Sequence, residues 1–83
     1  MTQRKVEMVK FEYEGFEFEA VKSEMESYET NKQLALGGKS FYLAVDRLFA
    51  GRDVEYSRKL GGSYDAIVGL TNAAFASLAT AKN

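Results

Sequence analysis

Val6 to Val21 reads VEMVKFEYEGFEFEAV, and the alternation in this stretch decides the fold. Val9, Phe11 and Tyr13 occupy every second position between charged residues, and Phe16, Phe18 and Ala20 do the same after Glu14-Gly15. A period of two sets each group on one face of a strand, so the stretch predicts a β-hairpin over residues 6–21. Gly15 supplies the positive φ that a two-residue turn requires; Glu14 is a poorer first turn residue than Asn or Asp, which leaves a slightly longer loop open. With the two-residue turn, Tyr13 faces Phe16, Phe11 faces Phe18 and Val9 faces Ala20, giving one aromatic side. On the other side Lys10 meets Glu19 favourably, whereas Glu12 meets Glu17 at a small cost. A lone two-stranded ribbon is marginal in water, so helices must cover the aromatic side.

The rest of the chain supplies them. Ser23 with Glu26 fits a capping box that opens a helix near Glu24 running toward Leu36, where Gly37-Gly38 stops it. Ser27, Thr30 and Asn31 are poor helix formers, so the beginning of this segment could be loop. Ser40 to Ala50 carries Phe41, Ala44, Val45, Leu48 and Phe49 at the spacing of an apolar helical stripe. Gly51 suits a left-handed cap, Asp53 can cap a short helix from Val54 to Leu60, and Gly61-Gly62 closes it. Ser63 then caps a last helix reaching about Ala79, with Ile67, Leu70, Ala74, Phe75 and Leu78 on its apolar face and Thr71 as a polar interruption. The expected architecture is α+β: an N-terminal β-hairpin followed by about four short helices packed on it.

A chain of 83 residues has room for one domain, taken here as 1–83 with the helical region at 24–80. The absence of cysteine removes disulfides, thiolate nucleophiles and sulfur-ligated zinc, and the absence of histidine removes the usual general base and the commonest metal ligand. An enzyme is therefore not expected, nor is any catalytic, metal or cofactor site. No apolar run approaches the ~20 residues that cross a bilayer, and MTQRKVEMVK lacks the apolar stretch of a signal peptide. A cytoplasmic protein without a membrane partner is expected. The GGK at Gly37 to Lys39 and the GGS at Gly61 to Ser63 lack phosphate-loop spacing and read as helix stops. Arg52, Arg58 and Lys59 form a basic cluster too small for nucleic-acid binding. Residues 1–30 carry four Lys/Arg against eight Asp/Glu, and residues 31–83 carry seven against four. Such a split could steer a basic partner to one face or let two copies associate head to tail as a homo-oligomer.

The order of elements, with FYLAVDRLFAGRD followed by VEYSRKLGGSYDAIVGLTNAAFASLATAKN, resembles the small tail assembly chaperones of long-tailed phages and prophages. The matching parts are Phe41 to Asp53 and Ser63 to Leu78, and the likeness extends over residues 5–83 as an order of elements. It implies a protein of the host cytoplasm that holds the tape measure protein and recruits tail tube subunits. It also implies a longer product made by ribosomal slippage near the end of the gene; the codons of Ala81-Lys82-Asn83 could contain an A-rich slippery heptamer.

For such a protein the candidate partner-binding residues are Tyr42, Leu43 and Phe49 on the stripe-bearing helix and Tyr64, Ile67 and Phe75 on the last, together with Leu70. A small fold needs nearly all its large side chains inside, so most of these belong to the core by default. Leu43 points roughly opposite the stripe and is the best exposed candidate, with Tyr42 at the stripe's edge. A second reading is a small phage or mobile-element inhibitor that binds a host protein through an acidic hairpin face of Glu12, Glu17 and Glu19, flanked by Glu14, mimicking nucleic acid. A structural tail component, forming stable rings, is a third.

Overall fold

The computed structural model describes residues 6–81. Met1 to Lys5 at the start, and Lys82-Asn83 of the expected slippery end, lie outside the described residues. Strand β1 (Met8–Tyr13) pairs antiparallel with β2 (Phe16–Val21), and five helices follow: α1 (Lys22–Met25), α2 (Tyr28–Leu36), α3 (Gly38–Leu48), α4 (Asp53–Lys59) and α5 (Tyr64–Ala81). The fold is α+β, with a hairpin at one end of the sequence order and helices after it.

The hairpin has the register that its alternation predicts: Tyr13 opposite Phe16, Phe11 opposite Phe18, Val9 opposite Ala20, Lys10 opposite Glu19 and Glu12 opposite Glu17. Glu14 (φ 53°) and Gly15 (φ 83°) both take left-handed conformations, the pairing a two-residue turn needs to follow the twist of its strands. Phe11, Phe18 and Ala20 are buried, so helices do cover the aromatic side. The cover stops short of the turn, where Phe16 stays exposed.

α5 packs on β1, while α3 packs on β2 and on α2. Phe18 sits at the middle of the core: its ring meets Tyr56 of α4 edge-on at 4.8 Å, and Tyr56 in turn meets Phe49 at 5.6 Å. Such edge-to-face pairs favour fixed geometry beyond area burial alone. Val45 and Leu48 of α3 and Ile67, Leu70 and Ala74 of α5 complete the same cluster. Thr71, the polar interruption of the α5 face, is buried with its hydroxyl donating to the Ile67 carbonyl at 2.8 Å, so it carries no unmet bond into the core.

The segment expected as one helix from Glu24 to Leu36 is two, broken at Glu26-Ser27. Ser23 does not act as a cap; Val21 precedes α1 and makes no side-chain cap bond. Ser27 caps α2 instead, its Oγ accepting from the Thr30 N–H at 3.2 Å. Asn31 Nδ2 donates back to the carbonyls of Met25 (3.0 Å) and Ser27 (2.7 Å), which closes the break. Thr30, 1% exposed, donates its hydroxyl to Glu24 Oε1 at 2.5 Å and accepts from Arg47 Nη2 at 3.2 Å, tying α1 and α2 to α3. Arg47 also pairs with Glu24 at 3.4 Å and donates to Gln33.

Gly37 (φ 74°) ends α2 and Gly51 (φ 81°) follows α3, but Gly38, expected as part of the first stop, opens α3, which begins two residues before the expected Ser40. Ser63 caps α5, its Oγ accepting from the Ala66 N–H at 3.1 Å. Asp53 is the first residue of α4 and not its cap; Arg52 holds that position without a side-chain bond. Arg52 turns instead to the hairpin, 3.7 Å from Glu19. The Tyr56 hydroxyl, followed by the nearby Glu19 and Glu55 carboxylates, holds the Arg52 guanidinium above its ordinary pKa. Among the described residues no helix is long and apolar enough to cross a membrane.

Candidate functional site

Of the large apolar side chains that remain outside the core, Tyr42 and Tyr64 come together. Tyr42 lies at the edge of the α3 stripe and so escapes the hairpin side, and Tyr64 is the first residue of α5, released from the core by the Gly61-Gly62 turn before it. Their rings stand 6.0 Å apart at 64°, and Phe41 joins both, 5.3 Å from Tyr64 and 6.0 Å from Tyr42. Phe41 is buried, whereas Tyr42 is 57% exposed and Tyr64 49% exposed. The trio is thus anchored by its inner member and presents two amphipathic rings to solvent. Tyrosine supplies a large contact area with little side-chain freedom to lose, a property that suits a protein interface.

A cleft lies on each side of this ridge. The first, of about 290 Å³, runs between α3, α4 and the start of α5 and is lined by Tyr42, Val45, Asp53, Val54, Tyr64 and Ile67. The second, of about 400 Å³, runs between α2 and α5 and is lined by Leu34, Ala35, Phe41, Tyr64, Val68 and Phe75. A ridge of rings between two mostly apolar clefts is the shape into which an amphipathic segment of another protein can lay alternate side chains.

The six candidate residues separate on this surface. Tyr42 and Tyr64 form the ridge, Ile67 lies beneath the first cleft and Phe75 lines the second. Leu43 is 49% exposed, as its angle on the helix predicts, but lines neither cleft. Phe49 is fully buried against Tyr56 and cannot meet a partner without unfolding the core; its place on the stripe looked the same for either role. Leu70, also named for the last helix, is core as well. Val54 and Asp53 of the first cleft were not legible as site residues, because only the packing of α3, α4 and α5 brings them into one lining with the tyrosines.

On the hairpin's outer face, Glu19 is engaged by Lys10 at 4.0 Å and Arg52 at 3.7 Å. The acidic face is thereby reduced to Glu12, Glu14 and Glu17, all exposed. Among the described residues no cluster of three or more acidic, histidine or cysteine side chains could hold a metal ion. Comparison with protein-family models, with curated proteins and with solved structures returned no match to this chain.

Proposed function

We propose that the chain is a non-catalytic protein-binding domain that serves as a phage tail assembly chaperone, holding the tape measure protein and recruiting tail tube subunits in the host cytoplasm. The observation that carries the binding reading is the exposed Tyr42–Tyr64 pair between two clefts, with ring centroids 6.0 Å apart. The order of a hairpin and amphipathic helices supports the chaperone assignment, by resemblance. A chaperone must also let go. The half-exposed pair suits reversible contact, because each ring stays partly packed in the fold when a partner leaves and returns only its outer part to water.

The test is co-expression with the tape measure protein encoded beside this gene. A soluble complex is expected by size-exclusion chromatography with light scattering. Replacing Tyr42→Ala together with Tyr64→Ala should weaken it by about tenfold or more, as loss of aromatic anchors does, while the cooperative melt is retained. A complex insensitive to both substitutions, or a gene with no tape measure neighbour, refutes the proposal. The second reading, inhibition of a host protein by acidic mimicry, is favoured by one feature: Glu12 is kept opposite Glu17 on the solvent face despite their repulsion.

A further inference from the structure

The first cleft holds a carboxylate in the first turn of α4, Asp53. Asp53 is half-buried in its wall, and among the described residues no side chain donates a hydrogen bond or forms an ion pair to it. Arg52, the cation next to it in sequence, is committed to Glu19 and Tyr56. Arg58 and Lys59 do not line the cleft. Of the cleft's four hydroxyls, Ser57 Oγ donates to the Val54 carbonyl at 2.9 Å and Ser63 Oγ accepts from the Ala66 N–H at 3.1 Å, while the other two belong to the rings of Tyr42 and Tyr64. Asp53 is the one charged side chain in a lining that it shares with Tyr42, Tyr64, Val45 and Ile67, of which Val45 and Ile67 are buried.

We propose that this cleft receives an arginine side chain carried by a segment of a partner protein. The complementarity is specific in kind. A guanidinium stacks on aromatic faces, donates in a planar fork to a carboxylate, and has an apolar stem that fits against Val45 and Ile67. An anionic side chain would meet the Asp53 carboxylate with like charge, and a neutral one brings no charge to pair with it. The inference rests on the protein-binding reading and names the chemistry that its partner presents.

The test uses the full chain, labelled with nitrogen-15, and two blocked tripeptides as probes: acetyl-Leu-Arg-Leu-amide and the same peptide with citrulline, arginine's neutral isostere. The arginine peptide should shift the amide resonances of residues in the cleft in a saturable manner, and the citrulline peptide should bind about tenfold more weakly, the loss expected when a charge-assisted pair is removed. Asp53→Asn should erase that preference, with circular dichroism reporting an intact fold, and raising salt should weaken only the arginine peptide. Equal binding of both peptides, or a preference that survives Asp53→Asn, overturns the proposal. So does concentration-dependent self-association lost in Asp53→Asn, because the cleft's occupant is then a second copy of this chain. The two readings fail separately: a protein partner lost by the Tyr42→Ala and Tyr64→Ala pair but indifferent to Asp53→Asn sinks the arginine site alone, while indifference to all three sinks both.

Discussion

Thr30→Val removes one hydroxyl from the junction of α1, α2 and α3 and changes almost nothing else, since valine has the same shape. The hydroxyl donates to Glu24 at 2.5 Å and accepts from Arg47 at 3.2 Å, within a residue that is 1% exposed. A hydrogen bond to a charged group contributes about 1.5–3 kcal/mol, and two are lost here. Two facts reduce the total. Glu24 and Arg47 remain 3.4 Å from each other, and their side chains are 28% and 37% exposed, so water takes up part of each vacated bond. The net cost is about 1.5–2 kcal/mol, taken from the lower part of that range. For a domain of this size a change of 1 kcal/mol moves the melting temperature by about 4–8 °C, which gives a fall of roughly 6–16 °C. Thermal melting followed by circular dichroism reads it directly. Crossed with Arg47→Met, the double-mutant cycle should return a coupling of about 0.5 kcal/mol or more. A variant that melts within a degree of the parent, or a coupling of zero, would show that the polar junction does not hold the helices together.

Ala50 sits at φ 54° after α3, a conformation that costs a residue with a Cβ about 1 kcal/mol, so Ala50→Gly should raise the chemical-denaturation midpoint despite the added freedom of the unfolded chain. At Gly69, on the face of α5 that meets β1, a methyl group would collide with the Tyr13 hydroxyl; Gly69→Ala should lose its helix-propensity gain of up to about 1 kcal/mol in the parent and recover part of it in a Tyr13→Phe background, as measured by urea unfolding of the four chains. Glu12→Lys converts the repulsive cross-strand pair with Glu17 into an attractive one, and should add about 0.2–1 kcal/mol that fades as salt is raised in the melt.

The hairpin was legible to the residue because a period of two has one register once its turn is placed, and Glu14-Gly15 placed it. The α3 stripe and the stop at Gly37 were legible for similarly local reasons, whereas Gly38 opens α3. The break between α1 and α2 was not. Ser23 reads as the cap and Ser27 only as a poor helix former, and the choice falls to Thr30, which is held by Arg47 seventeen residues away. The site was legible in half: helical angle finds Tyr42 and Leu43 on the outside, but it cannot separate Phe49 from a surface residue, since the ring that buries it, Tyr56, belongs to another helix. Asp53 reads as a cap because nothing local records that the packing of α4 brings it into one cleft lining with two tyrosines.

The central claim is that the helical aromatic face, and not the acidic hairpin, meets the partner. The most direct measurement compares two double variants in one calorimetric titration against the tape measure protein: Tyr42→Ala with Tyr64→Ala, and Glu12→Lys with Glu17→Lys. The first should lose affinity by about tenfold or more while the second stays within about threefold of the parent. Loss of binding in the hairpin variant with the tyrosine variant unaffected would contradict it and transfer the interface to the acidic face.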